Sequence, residues 1–240
     1  MLGFLLVAAL GADERFWDEV QGPLERVLPC RALGQAELRL PEQVAAMDEH
    51  RRDAGWSQVV VVGCAIGSIA AAAYAGTQPA HTAAAILVNA TDRAIPTAAT
   101  MLRERAAKVR QGGMQAILPD AVDRAFDGQP RDERYRRFLS RFAAQDAERY
   151  AKAIELSVDY DASSLIGRIR CPTLVLAGGH DRPLPPENAR RVQSMIEGAI
   201  FEQVDEAAHF MPYQMPELFA ARVMSFILDH VTQPVSVSNN

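Results

Sequence analysis

The stretch VVVVGCAIGS (59–68) decides the fold. Four consecutive valines leave no polar face, so the strand they form, Gln58 to Val62, is buried on both sides, as a strand inside a parallel sheet must be. Gly63 and Gly67 bracket a sharp turn, and Ser68 to Ala75 is Ala-rich and helical. A buried strand that turns at once into a helix is half of a βαβ unit. Working outward, Gly3 to Leu10 reads as a second buried strand and Ala83 to Asn89 as a third. Thr173 to Ala177 and Ala199 to Val204 read as two more. Helical stretches lie between them: Glu14 to Val27, running into a short strand near Arg26 to Cys30, then Leu40 to Ala54, Pro186 to Ile196 and Pro216 to His230. Strands alternating with helices mean an α/β fold, a mostly parallel sheet flanked by helices.

One segment breaks the alternation. From Thr97 to Ile169 there is no convincing strand; the stretch is helical by period, rich in Arg, Asp and Glu, and punctuated by Gly112-Gly113, Pro119 and Gly128-Gln129-Pro130. An ordinary crossover needs about 12 or more residues, and this one is far longer, so it reads as a helical cap inserted over the sheet. The expected organisation is a core of residues 1–96 and 170–231, a cap of 97–169, and a loose, polar, Pro-interrupted tail, 232–240.

Composition narrows the function classes. The 240 residues carry 25 Lys and Arg against 30 Asp and Glu, a net charge of −5. That balance, with no basic cluster, speaks against nucleic acid as a partner, since such binding relies on neutralising phosphates. A hydrophobic fraction of 49% supplies a core and excludes global disorder. No apolar run reaches the ~20 residues needed to span a bilayer. The opening MLGFLLVAALGA has no Lys or Arg before Arg15, so it reads as a buried strand rather than a secretory leader. Cys30, Cys64 and Cys171 lie far apart with no CxxC, which fits a reducing, cytoplasmic setting and gives no metal site.

The chemistry is expected at the ends of the strands. The valine strand, its turn and the helix form the context of a G-x-S-x-G nucleophile elbow, in which bulky neighbours of the apex would strike the backbone. The apex here is Ala65, not serine. Downstream, one strand ends in Gly178-Gly179-His180-Asp181, which puts a carboxylate just past the sheet. The next leads into DEAAHF (205–210). The order apex, Asp, His suits a nucleophile, an orienting acid and a base. His209 would be the base and Asp181 its partner, converging to roughly 2.6–3.2 Å although 28 positions apart. Cys64 beside the apex reads as a packed thiol, Ser68 as helix–strand packing, and His180 as exposed loop. Charges such as Arg131 to Arg137 read as a solvated helix face, and Arg110 and Arg124 are candidates for reading a substrate carboxylate.

Four stretches, LLVAALGADERFW (5–17), VVVVGCAIGS (59–68), CPTLVLAGGHDRPLPPE (171–187) and AAHFMPYQMPELF (207–219), resemble the α/β-hydrolase superfamily. Within it, KVRQGGMQAILPDAVDRAF (108–126) and Asn89 resemble the 3-oxoadipate enol-lactonase branch. The resemblance implies an α/β-hydrolase fold with an inserted cap, and an oxyanion hole made by the backbone N–H groups of Leu10 and Ile66. It also shows departures. The family carries serine where Ala65 stands, His-Gly where Ala8-Ala9 stands, and two strands earlier than the first one here.

Three readings of Ala65 stay open. The chain is a hydrolase of a small ester or lactone disabled by loss of its serine. Alternatively, Ala65 is natural and His209 with Asp181 acts as a base, as in cofactor-free lyases and oxygenases of this fold. Or the cap pocket is a non-catalytic binding site for a small molecule. The hydrolase reading needs no cofactor and no metal. Its substrate is a small molecule that can carry a carboxylate, with no nucleic-acid or membrane partner; homo-oligomer formation stays open.

Overall fold

Side-chain parity along the strands builds the core. A computed structural model describes residues 1–34, 36–94 and 96–231. Its strands are β1 (Leu2–Val7), β2 (Cys30–Leu33), β3 (Gln58–Cys64), β4 (Thr82–Val88), β5 (Thr173–Gly178) and β6 (Ile200–Val204). They form one sheet in the order β2-β1-β3-β4-β5-β6, every neighbouring pair parallel. Alternate residues point to opposite faces, so Phe4, Leu6, Val60, Val62, Ile86 and Leu176 enter one apolar cluster. Leu5, Val7, Val59, Val61, Leu87 and Val175 enter the other. This is why four valines in a row fit one strand.

Each face has its helices. A 3-10 turn (Glu14–Trp17) and α1 (Asp18–Glu25) cover the first face with Trp17, Val20 and Leu24. On the second face lie α2 (Leu40–Asp53) and α3 (Ile66–Thr77), whose Met47, Ile69 and Tyr74 are buried. Between β4 and β5 come α4 (Pro96–Gly112), α5 (Asp120–Ala125), α6 (Glu133–Ala143), α7 (Ala147–Ser157) and α8 (Ser163–Ile166). The chain closes with α9 (Pro186–Ser194), α10 (Met211–Gln214) and α11 (Pro216–His230), α11 lying on the first face.

Several expected boundaries move: β1 ends at Val7 rather than Leu10, and β3 runs on to Cys64. The 14–27 stretch opens as a 3-10 turn before α1, and the short strand lies at Cys30–Leu33 rather than near residues 26–30. Its four residues are all half-buried, at the sheet edge, where an apolar run is not required. The helix after the valine strand starts at Ile66, directly behind the apex. Tyr160, Ala162, Ile166 and Ile169 pack with α3 on the second face. The tail, 232–240, lies outside the described residues. Among the described residues, no helix is long and apolar enough to cross a membrane.

The chain leaves β1 toward β2 on one side and returns to β3 on the other. That reversal opens a crevice beyond the carboxyl ends of β1 and β3, the usual ligand position in such sheets. Val7 pairs with Gly63, Cys64 with Val88, and Gly178 with Val204, so the loops carrying Leu10, Ala65, Asp181 and His209 leave the same edge.

Candidate active site

Ala65 sits at φ 52°, ψ −117°, a conformation that suits glycine and strains an L side chain. The elbow around it is tightly determined. A Cβ on Gly63 would come within 2.3 Å of the Gly67 carbonyl oxygen, and one on Gly67 within 2.5 Å of the Val7 and Ala8 carbonyl oxygens. The Ala65 N–H donates to the Val88 carbonyl at 2.9 Å. The Ala65 carbonyl accepts from the Ser68 N–H at 2.9 Å and the Ser68 hydroxyl at 2.6 Å. Strain of this kind costs about 1–3 kcal/mol. Ala65→Gly is therefore expected to stabilise the fold by about 1 kcal/mol net of glycine's entropy cost, raising Tm by about 2–4 °C. A thermal melt with an unchanged or lower midpoint would show that the elbow is unstrained.

His209 and Asp181 meet. His209 Nδ1 stands 2.9 Å from both carboxylate oxygens of Asp181. The Asp181 side chain is fully buried, and its Oδ1 also accepts the Leu184 N–H at 2.8 Å. With Nδ1 taken, the imidazole has Nε2 for the cavity that His209 lines. Asn89 fixes the loop from behind. Its Nδ2 donates to the Ala208 and His209 carbonyls at 2.9 and 2.8 Å, and its Oδ1 accepts the Gly178 N–H at 2.7 Å. One side chain thus ties the ends of β4 and β5 to the histidine loop. Asn89 itself has φ 47°, which asparagine tolerates better than most residues.

Ala65, Ile66, Leu10 and His209 line one cavity of about 340 Å³. Ile66 opens α3, and the first N–H groups of a helix have no intrahelical acceptor. The Leu10 N–H likewise has no acceptor among the described residues. Val122, Phe138, Phe142 and Phe210 make the wall apolar. Arg93, Arg105, Arg124 and Arg182 also line it. Arg93 is paired with Asp92 and Asp161, and Arg182 with Asp127. Arg105 lies beside the buried Tyr150 phenol, which burial pushes upward in pKa and Arg105 pulls back. Among the described residues, Arg105 and Arg124 have no carboxylate partner.

The other candidates fall elsewhere. Arg110 is engaged by Glu148 and Glu155 and does not line the cavity. Cys64 is buried, its thiol pushed well up by desolvation, and its Sγ faces the His209 carbonyl at 3.6 Å. Ser68 spends its hydroxyl on the Ala65 carbonyl. His180 is exposed. No cluster of three or more metal-ligating side chains occurs among the described residues. Sequence reasoning missed Arg105, whose place depends on where α4 docks and which no local pattern marks.

Comparison with known proteins agrees with this fold. The alpha/beta hydrolase family matches residues 4–222. The pyrrolizixenacetamide deacetylase of Xenorhabdus hominickii is 33% identical over 81 residues, 34% of this chain; the match spans 30% of that relative's length. A protein of Caulobacter sp. (strain K31) named as carbamate hydrolase RutD is 26% identical over 93% of this chain and 89% of its own. The enol-lactonase of Burkholderia xenovorans LB400 superposes with a TM-score of 0.85 at 20% identity, covering 95% of this chain and 92% of that one. At that identity the likeness is one of fold.

Proposed function

The chain belongs to the alpha/beta hydrolase family across residues 4–222, and from that premise we propose that its cavity is built to hydrolyse a small ester or lactone carrying a carboxylate, with the attacking serine replaced by Ala65. One observation carries this reading. A strained elbow, a buried His209–Asp181 pair and two unpaired backbone N–H groups surround one cavity. None of them serves an alanine.

The chemistry would run as follows. A serine hydroxyl at position 65 gives its proton to His209 Nε2 as its oxygen attacks the carbonyl carbon. Asp181 holds the imidazole with its proton on Nδ1 and stabilises the imidazolium. The developing oxyanion takes hydrogen bonds from the Leu10 and Ile66 N–H groups. His209 then protonates the leaving alcohol or enol oxygen, and water, activated by His209, releases the acid. No metal or cofactor is required. Arg105 and Arg124 supply the positive charge that a carboxylate-bearing substrate would need, and the apolar wall would exclude water around it.

The direct test is hydrolysis of p-nitrophenyl esters and of a carboxylate-bearing enol-lactone by Ala65→Ser. In that background Arg105→Gln and Arg124→Gln should each raise KM for the acidic substrate about 10-fold or more, the worth of a charge-assisted hydrogen bond. KM for an uncharged analogue of the same shape should not move. Equal effects on both substrates would remove the carboxylate from the proposal. A second reading is favoured by Ala65 itself: the same cavity binds a small acid without turning it over. It predicts no gain on Ala65→Ser and unchanged affinity in His209→Ala.

A further inference from the structure

The oxyanion turn of this chain is anchored from an unexpected place. Ala9 to Ala12 form a β-turn closed by the Ala12 N–H donating to the Ala9 carbonyl at 3.1 Å. Gly11, third in the turn, has φ 71°, the value a type II turn requires there. Leu10, second in the turn, is the residue whose N–H is left free. Ala8 and Ala9 carry no polar side chain that could fix this turn against the elbow. The structure supplies another anchor: the Gln145 Nε2 donates to the Gly11 carbonyl at 2.6 Å.

Gln145 is well placed to hold. It lies in the corner between α6 and α7, where its own N–H bonds the Phe142 carbonyl and the next residue, Asp146, caps α7 through the Arg149 N–H at 2.8 Å. The same corner presses on the turn. A Cβ on Gly11 would lie 2.5 Å from the Phe142 ring and 2.8 Å from the Tyr150 ring. Gln145 reaches Gly11 from a neighbouring surface cleft and does not itself line the catalytic cavity. It therefore acts on the turn and not on the substrate.

We infer that Gln145 is a positioning residue, reaching from the helical segment between β4 and β5 to set the Leu10 N–H for the oxyanion. The inference relies on the hydrolase reading, because only an acyl-transfer site needs that N–H aimed. It also gives the helical segment a second part to play: its α6–α7 corner holds the oxyanion turn in place.

The test uses Gln145→Ala and Gln145→Glu, the second keeping size but presenting only acceptors to the Gly11 carbonyl. In the chain as it stands, both should speed amide exchange of Ala12, the closing N–H of the turn, while Tm moves little. In Ala65→Ser both should lower kcat about 10²-fold, the scale of losing or misplacing one oxyanion donor, with KM unchanged. A packing role predicts that Gln145→Glu behaves like the parent. Unchanged Ala12 exchange, or full kcat in Gln145→Glu, would overturn the inference while leaving the hydrolase reading intact. An inactive Ala65→Ser with Gln145 in place would bring down the hydrolase reading, and this role with it.

Discussion

Ala65→Ser is expected to hydrolyse a small ester or enol-lactone at least about 10⁴-fold faster than the unaltered chain. Removing the nucleophile of a serine triad costs about 10⁶ in kcat, leaving only the contribution of binding and the oxyanion hole. On the proposed reading the change required is one oxygen, since the strained apex and the His209–Asp181 pair are already in place. The backbone at residue 65 is already in the strained elbow conformation. Ala65 lines a cavity of about 340 Å³, which offers a hydroxyl room. His209 is already held by Asp181. The one departure that bears on magnitude is Ala8-Ala9 beside the oxyanion turn. A misplaced Leu10 N–H would forfeit about 10²–10³ of the gain, which is why the expected rise is set below the full 10⁶. The unaltered chain should show no burst and no turnover in the ordinary range of about 1–10³ s⁻¹. If the unaltered chain did turn over at such rates, the nucleophile would have to be sought elsewhere. A revertant as inert as its parent, yet binding a small acid tightly, would move the assignment to a binding protein.

In the same background, Asp181→Asn should lower kcat by about 10⁴ with little change in KM or Tm. The cause is a tautomer rather than a lost fold. The Leu184 N–H bonds Asp181 Oδ1 while His209 Nδ1 stands 2.9 Å from both oxygens, so an asparagine that keeps its carbonyl oxygen on Leu184 brings its NH₂ to the Oδ2 position, against Nδ1. That nitrogen must then accept, which puts the imidazole proton on Nε2, where it blocks transfer from the serine. The buried site loses a charge but keeps its hydrogen bonds, so the protein should remain folded. Steady-state kinetics with a melting curve decide it. A drop of less than 10-fold would mean that Asp181 only caps the 181–184 turn, and His209 would then need another partner.

Much of this was readable along the chain because the signals are local. Four valines followed by a glycine-bracketed turn point to a doubly buried strand and an elbow, since a strand with no polar face needs cover on both sides and the glycines let the backbone pass close. Pro216 to His230 is a helix with the expected bounds, because Pro at its first position and the apolar period are features of the segment alone. Asp181 and His209 could be paired in prospect because each directly follows a parallel strand, and parallel strands end at one edge. Where a segment's environment decides, the sequence was silent. The edge strand β2 slid to Cys30–Leu33, as no buried face fixes its register by composition. Arg110 is consumed by Glu148 and Glu155 while Arg124 lines the cavity, a distinction set by how α4, α5 and α7 dock. Gln145 and Gly11 are 134 positions apart, and their bond exists only because the α6–α7 corner is packed onto the oxyanion turn by Phe142 and Tyr150. Periodicity and turn chemistry act over a few residues and so determined the layers of the sheet and the elbow. Which side chains from distant segments share a cavity depends on long-range packing, and only the tertiary structure decided that.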